Sequence, residues 1–210
     1  MFSDADLPEP LLIREIENPV QLTAIKPEDG IFFNPQYTNV RLIRSYTYEL
    51  LKQAAKSLPA GYRFVVYEAY RPMAAQIELW QKVVADKSRQ YPHLSVDSEE
   101  FIALCDVFAA NPYRQGSGHQ SGAAIDVSLA DERGKEFDMG GSVRGFDETA
   151  EFDCPDISPE ARKNREILKT ALSAVGFVNY PSEWWHYSFG DRLWARLTGS
   201  TLAIFGKLDK

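Results

Sequence analysis

At 210 residues and 23.8 kDa, with 44% hydrophobic and 25% charged residues, the chain can bury one substantial core, and its composition is that of a soluble globular protein. A formal charge of −7 and a pI near 5.1 argue against nucleic acid or an anionic membrane as the main partner, since both repel a surface of their own sign. Cys105 and Cys154 are too few and too isolated for a disulfide framework, and read as reduced thiols.

The N-terminal stretch "MFSDADLPEPLLIREIENP" is acidic where a secretory signal needs a basic start and an apolar run. No segment reaches the ~18 apolar residues of a membrane span. The expectation is therefore a cytoplasmic chain with no membrane partner. Residues 1–38 carry several prolines and short apolar runs, which predicts an irregular arm with one or two small strands. Neither a repeat nor a Pro/Gly/Ser linker divides the rest of the chain, so 1–210 reads as one domain.

From Asn39 onward, Ile43, Tyr46, Leu50, Ala54 and Leu58 recur at helical spacing until "PAG" at 59–61. "YRFVVYEAY" (62–70) is β-branched and aromatic, which predicts a strand. Pro72 suits a first helical turn, continued by Met73, Ile77, Trp80 and Val84 on one face. "VDSEEFIALCDVFA" offers another helix, capped by Asp97 or Ser98. "AAIDVSLA" reads as a strand followed by the turn "DERGKE". Ser158 caps and Pro159 opens a helix with Leu168, Leu172 and Val175 as its stripe and Gly176 as its stop. "WWHYSF" and "STLAIFG" look like closing strands. Early helices with most strands coming later favour an α+β domain, a single compact unit with a central, mainly antiparallel sheet flanked by helices.

Chemistry concentrates in three stretches. "SGHQSGAAIDV" places His119 and Asp126 around a bend of small residues, and "SEWWHYSF" sets Glu183 three residues before His186. Two imidazoles and one carboxylate form an established zinc ligand set that leaves a fourth position for water. Such water still needs a base for its proton, and Glu183 is the spare carboxylate. Residues three apart on a strand face opposite ways, so Glu183 is placed in the turn-forming "NYPSE" before the strand. Arg71, in "YEAYRP", stands at a strand-to-helix junction, where a guanidinium can stabilise the oxyanion that amide hydrolysis builds. Taken singly, each signal has a bland reading: a core or surface histidine, a hydrogen-bonded structural aspartate, or an Arg71 paired with Glu68. Jointly the signals favour a metal centre, because two of the three histidines fall beside acids. The third, His93 in "QYPHLSV", reads as a surface loop residue.

"SGHQSGAAID", "EWWH", "YRP" and the spacing of "MGGSVRGFD" together resemble the motifs of zinc D-alanyl-D-alanine dipeptidases, the VanX-type branch of peptidase family M15, which also holds D,D-carboxypeptidases. The resemblance runs from about residue 67 to 190. It implies a Hedgehog/DD-peptidase-like fold, one zinc per chain held by His119, Asp126 and His186, Glu183 as base, and Arg71 as transition-state partner. It further implies substrate contacts from Ser117, from Glu68, and from Asp147 toward a free ammonium group. In the N-terminal region "FFNPQYTNV" stands where the family carries a D-[LIM]-R-Y-A-T type stretch, so Tyr37 takes the place of that tyrosine. The implied reaction is hydrolysis of the D-Ala-D-Ala dipeptide to two D-alanines. The alternatives are a D,D-carboxypeptidase for longer peptidoglycan peptides and an inactive zinc-stabilised binding domain.

Overall fold

The structure, a computed structural model, describes residues 14–15 and 21–208. In chain order the elements are β1 (Arg14–Glu15), β2 (Leu22–Ala24), β3 (Ile31–Phe33), β4 (Leu42–Arg44), α1 (Ser45–Ser57), β5 (Arg63–Glu68), α2 (Met73–Gln90), α3 (Glu99–Asp106), β6 (Ala124–Ala130), α4 (Pro159–Ser173), β7 (Val178–Asn179), β8 (His186–Ser188), α5 (Arg192–Thr198) and β9 (Leu202–Ala203). The main sheet has the order β3-β5-β6-β8-β7. Only β3–β5 is parallel; β5–β6, β6–β8 and β7–β8 are antiparallel. This is the α+β architecture expected from the sequence.

β6 is the spine of the sheet and is buried along its whole length. By strand alternation Ile125, Val127 and Leu129 point to one face and Asp126 and Ser128 to the other. The apolar face joins a core with Phe64, Val66, Leu51, Leu168 and Leu172, so α1 and α4 cover one side of the sheet. Their burial removes the apolar area that chiefly drives folding. The opposite face is free to carry polar groups, and the site lies there. A second apolar cluster of Trp80, Phe101, Cys105 and Ala109 holds α2 against α3.

Local chemistry explains most boundaries. Ser98 caps α3 by accepting from the Phe101 amide, Ser158 caps α4 by accepting from Ala161, and Pro159 occupies the first turn of α4. Gly176 closes the segment after α4 with φ +94°. Two expectations shift. The helix read from Asn39 begins only at Ser45, because Leu42–Arg44 pair with Leu22–Ala24, and this long-range ladder overrides the local period. The N-terminal arm carries small strands as expected, and one of them joins the main sheet, since Ile31–Phe33 pair in parallel with Phe64–Val66, where Ile31 is fully buried. The strands are also interleaved with the helices rather than gathered after them. The short helix α5 escapes the periodic pattern, yet its ends are legible as Asp191, accepting from Trp194, and the left-handed Gly199. Both cysteines are free and buried, and His93 is exposed, in line with the sequence expectation.

Candidate metal centre

Strand register assembles the site. Asp126 on β6 lies opposite His186 on β8 and opposite Glu68 on β5, so three strands set one side chain each abreast. Register slips between Val66 and Glu68, and this bulge turns Glu68 toward Asp126. His119 comes from a one-turn 3-10 helix, Gly118–Ser121, which Ser117 caps and the left-handed Gly122 closes. Gly118 is required there because a Cβ would run into the Asp191 carboxylate and the Ala124 methyl. The Arg71 amide donates to the His119 carbonyl at 3.0 Å, tying the "YRP" segment to this turn.

The result is a tight, buried triad. His119 Nε2 lies 3.2 Å and His186 Nδ1 3.1 Å from Asp126 Oδ1. The two imidazoles stand edge to face, 4.9 Å apart at 87°. Each ring is oriented by its other nitrogen: His119 Nδ1 donates to the Ala69 carbonyl at 3.0 Å, and His186 Nε2 meets Ser188 Oγ at 3.3 Å. The Ala69 carbonyl fixes the proton of His119 on Nδ1 and leaves Nε2 as a lone-pair donor, and His186 offers Nδ1 in the same way when its proton sits on Nε2 toward Ser188. A tetrahedral zinc with arms of ~2.0–2.1 Å separates its ligand atoms by ~3.3–3.4 Å. The donor types and the two spacings to Asp126 suit that ion, and all three ligand atoms lie within 4.8 Å of one another.

For Asp126 and His119 the electrostatics agree with a ligand role, whereas at His186 burial pushes the ring down but the hydrogen bond and charge of Asp126 outweigh it and hold it above its ordinary value. Burial pushes the Asp126 carboxyl up, but the charges and hydrogen bonds of His119 and His186 outweigh it and hold it below the usual carboxylate range. Burial holds His119 below its ordinary value, which favours the neutral ring a metal requires. Glu183 lies in the turn before β8, as the alternation argument requires, with Oε2 4.0 Å from His186 Nδ1. Burial raises its carboxyl and the neighbouring His186 tempers the rise. A raised carboxyl suits a proton shuttle. Trp184 and Trp185, next in the chain, are buried in the main apolar core.

Arg71 is 8% exposed and held on both sides: Nε donates to Glu68 Oε1 at 3.0 Å, Nη1 to Gln76 Oε1 at 2.6 Å, and Nη2 to Glu68 Oε2. The ion pair with Glu68, the bland reading of this arginine, is thus present, and it orients the guanidinium in the charge field of Asp126 and Glu183. Ser117 serves as cap of the histidine turn. Tyr37 sits at the rim, donating to the Val143 carbonyl at 2.6 Å. Asp147 is not drawn to the triad by any of its contacts. It is exposed, and its Oδ1 accepts from the amide and hydroxyl of Thr149 at 2.8 and 2.6 Å.

Three residues at the site do not stand out in the sequence. Gln76 is fully buried and bridges Arg71 to the Ala110 carbonyl at 2.6 Å. Ser188 orients His186, and the "HYS" alternation places both on one face. Arg144 reaches Asp126 Oδ2 through Nε at 3.2 Å and Nη2 at 3.1 Å, and also donates to Glu68. Only the Arg-Gly step in "SVRGF" hints at its unusual backbone. Because His186 loses its orienting partner, Ser188→Ala is expected to weaken metal affinity by about 10-fold or more. Competition with a chromophoric chelator measures this, and unchanged affinity would remove Ser188 from the account.

A family model described as D-ala-D-ala dipeptidase, of the peptidase M15 group, matches residues 21–201. A D-alanyl-D-alanine dipeptidase of Escherichia coli K12 is 37% identical over 138 residues, covering 66% of this chain and 61% of that protein. The chain thus spans about three-fifths of that relative's length. A D-alanyl-D-alanine dipeptidase of Synechocystis is 30% identical over 180 residues, covering 73% of this chain and 71% of its own. Among solved structures, VanYB in complex with D-alanine-D-alanine superposes with a TM-score of 0.50 at 18% identity, covering 82% of this chain and 78% of that one. The LdcB LD-carboxypeptidase gives 0.51 at 20% identity, covering 82% and 69%. These two likenesses concern the fold.

Proposed function

Because the chain belongs to the peptidase M15 family of D-Ala-D-Ala dipeptidases, we propose that it hydrolyses the D-Ala-D-Ala dipeptide to two D-alanines with the help of one zinc ion. The observation that carries the reading is the convergence of His119 Nε2 and His186 Nδ1 on Asp126 Oδ1 at 3.2 and 3.1 Å, with a further carboxylate 4.0 Å from His186. A purely structural zinc site takes four protein ligands and needs no such spare base.

Zinc, when bound, polarises the scissile carbonyl and brings the pKa of water down toward ~7. His119, Asp126 and His186 would hold it. Glu183 takes the proton of the attacking water and returns it to the leaving amine. Arg71, fixed by Glu68 and Gln76, donates to the oxyanion that develops on the carbonyl oxygen.

No helix among the described residues is long and apolar enough to cross a membrane. A cytoplasmic location, in which the enzyme meets its dipeptide in solution, is part of this proposal. A second reading, a D,D-carboxypeptidase of longer cell-wall peptides, is favoured by one observation: the Asp147 carboxylate is engaged by Thr149 rather than waiting for an ammonium group. Metal analysis of the purified chain, with turnover of D-Ala-D-Ala, its N-acetyl derivative and L-Ala-L-Ala, tests both. One zinc per chain and hydrolysis confined to the free D,D-dipeptide are expected. Equal rates on the N-acetylated compound would establish the second reading, and no turnover by the zinc-loaded chain would end both.

A further inference from the structure

The contacts around the triad bring together two guanidiniums, Arg71 and Arg144, and three carboxylates, Glu68, Asp126 and Glu183. Their formal sum is one negative charge, and a divalent cation on the triad turns it into one positive charge. A site so composed, largely closed to water, takes an anion more readily than a cation.

The two arginines are not equivalent. Arg71 bonds through all three of its nitrogens and its side chain is 9% exposed. Arg144 bonds through Nε and Nη2 only, so that Nη1 meets no acceptor among the described residues, and its side chain keeps 18% exposure. Its guanidinium is also fixed from below, 4.7 Å above the centre of the Tyr37 ring, and Tyr37 in turn donates to the carbonyl of Val143 next to Arg144. Arg144 is moreover the one non-glycine residue among those described with φ in the left-handed region, at +58°. Side chains other than glycine, asparagine and aspartate rarely stay there, at a cost of ~1 kcal/mol or more, unless their surroundings hold them.

We propose that Arg144 is a specificity-determining residue that receives the C-terminal carboxylate of the substrate on its free Nη1 edge. This rests on the peptidase reading and adds which end of the substrate the site recognises by charge. A dipeptide cleaved between its two residues has its carboxylate one residue from the scissile carbonyl. The reacting carbonyl would lie at the triad with Arg71, and Arg144, joined to the triad through Asp126, is the remaining cation beside it. A guanidinium offers a carboxylate a directional, charge-assisted contact that it does not offer a carboxamide. The same group disfavours substrates that present an ammonium at that place.

The test compares kcat/KM for D-Ala-D-Ala and for its C-terminal carboxamide. The wild-type chain should prefer the free acid, and Arg144→Gln should shrink that preference by about 10- to 100-fold, the typical weight of a hydrogen-bonded charge. A ratio of two substrates is insensitive to the amount of folded, metal-loaded protein. Arg144→Lys, which keeps the charge and loses the fork, should retain part of the preference. An unchanged ratio in Arg144→Gln overturns the proposal, as does a wild-type chain that never distinguished acid from amide. Calorimetric binding of the same two ligands reads the ratio without turnover. A wild-type chain that binds the acid selectively, loses that selectivity in Arg144→Gln and cleaves neither compound would therefore defeat the proposed reaction while upholding Arg144.

Discussion

Glu183→Gln is expected to keep its zinc and lose hydrolysis of D-Ala-D-Ala by about 100- to 10,000-fold in kcat, the range set by removing a general base. Glutamine preserves the volume and the neighbours of Glu183, whose backbone amide bonds the Tyr180 carbonyl at 3.0 Å and whose carbonyl receives the His186 amide at 3.1 Å. The turn, and with it the His186 ring, therefore stays in place. What disappears is the carboxylate that burial holds above its ordinary pKa and that stands 4.0 Å from Nδ1 of His186. Zinc content by atomic absorption alongside steady-state kinetics is the measurement. Full activity would remove Glu183 from the mechanism, and loss of zinc would make it a ligand instead.

The second large effect concerns stability. Arg165 on α4 is 1% exposed, and its guanidinium donates to four backbone carbonyls: Met139 at 2.7 Å, Glu151 at 2.6 Å, Phe152 at 3.1 Å and Thr149 at 2.7 Å. Burial brings its pKa down to about 10, and it remains charged at neutral pH. One side chain thereby pins both ends of the 139–152 segment, which carries Val143 and Arg144 into the site. Arg165→Met fills much the same space and leaves those carbonyls without their donor, in a place little water reaches. The loss should be about 3–5 kcal/mol, since several buried carbonyls lose their donor at ~1–3 kcal/mol each. For a chain of this size that corresponds to a fall in Tm of ~6–20 °C, measurable by calorimetry. A shift below ~2 °C would mean the segment is held by other contacts.

Arg165 also shows where sequence reasoning stops. In the helix from Pro159 the pattern identifies Leu168 and Leu172 as the core stripe, and both are fully buried. Arg165, three residues before Leu168, lies on that same buried face, but nothing in a single sequence says that an arginine there will find four carbonyls from a distant loop. Arg144 is a similar case. Its stretch stands out in the sequence for its spacing and for Asp147, the acid that the family resemblance points to. In the fold that aspartate caps a turn at the surface, while the arginine three residues earlier reaches the triad. Both arginines depend on long-range partners that leave no local period or cap.

The sequence by itself determined which residues are the candidate ligands, the helices with their serine and proline starts, and the strands that carry Asp126 and His186, because each depends on residue type and on neighbours a few positions away. Even the place of Glu183 in a turn comes from strand alternation. Only the tertiary structure decided how those pieces meet. The ladder between β6 and β8 puts Asp126 opposite His186, the bulge in β5 turns Glu68 inward, and the parallel pairing of β3 draws part of the N-terminal arm into the sheet. Register and crossing are set by the burial of a whole core at once, a sum over contacts far apart along the chain that no short window contains.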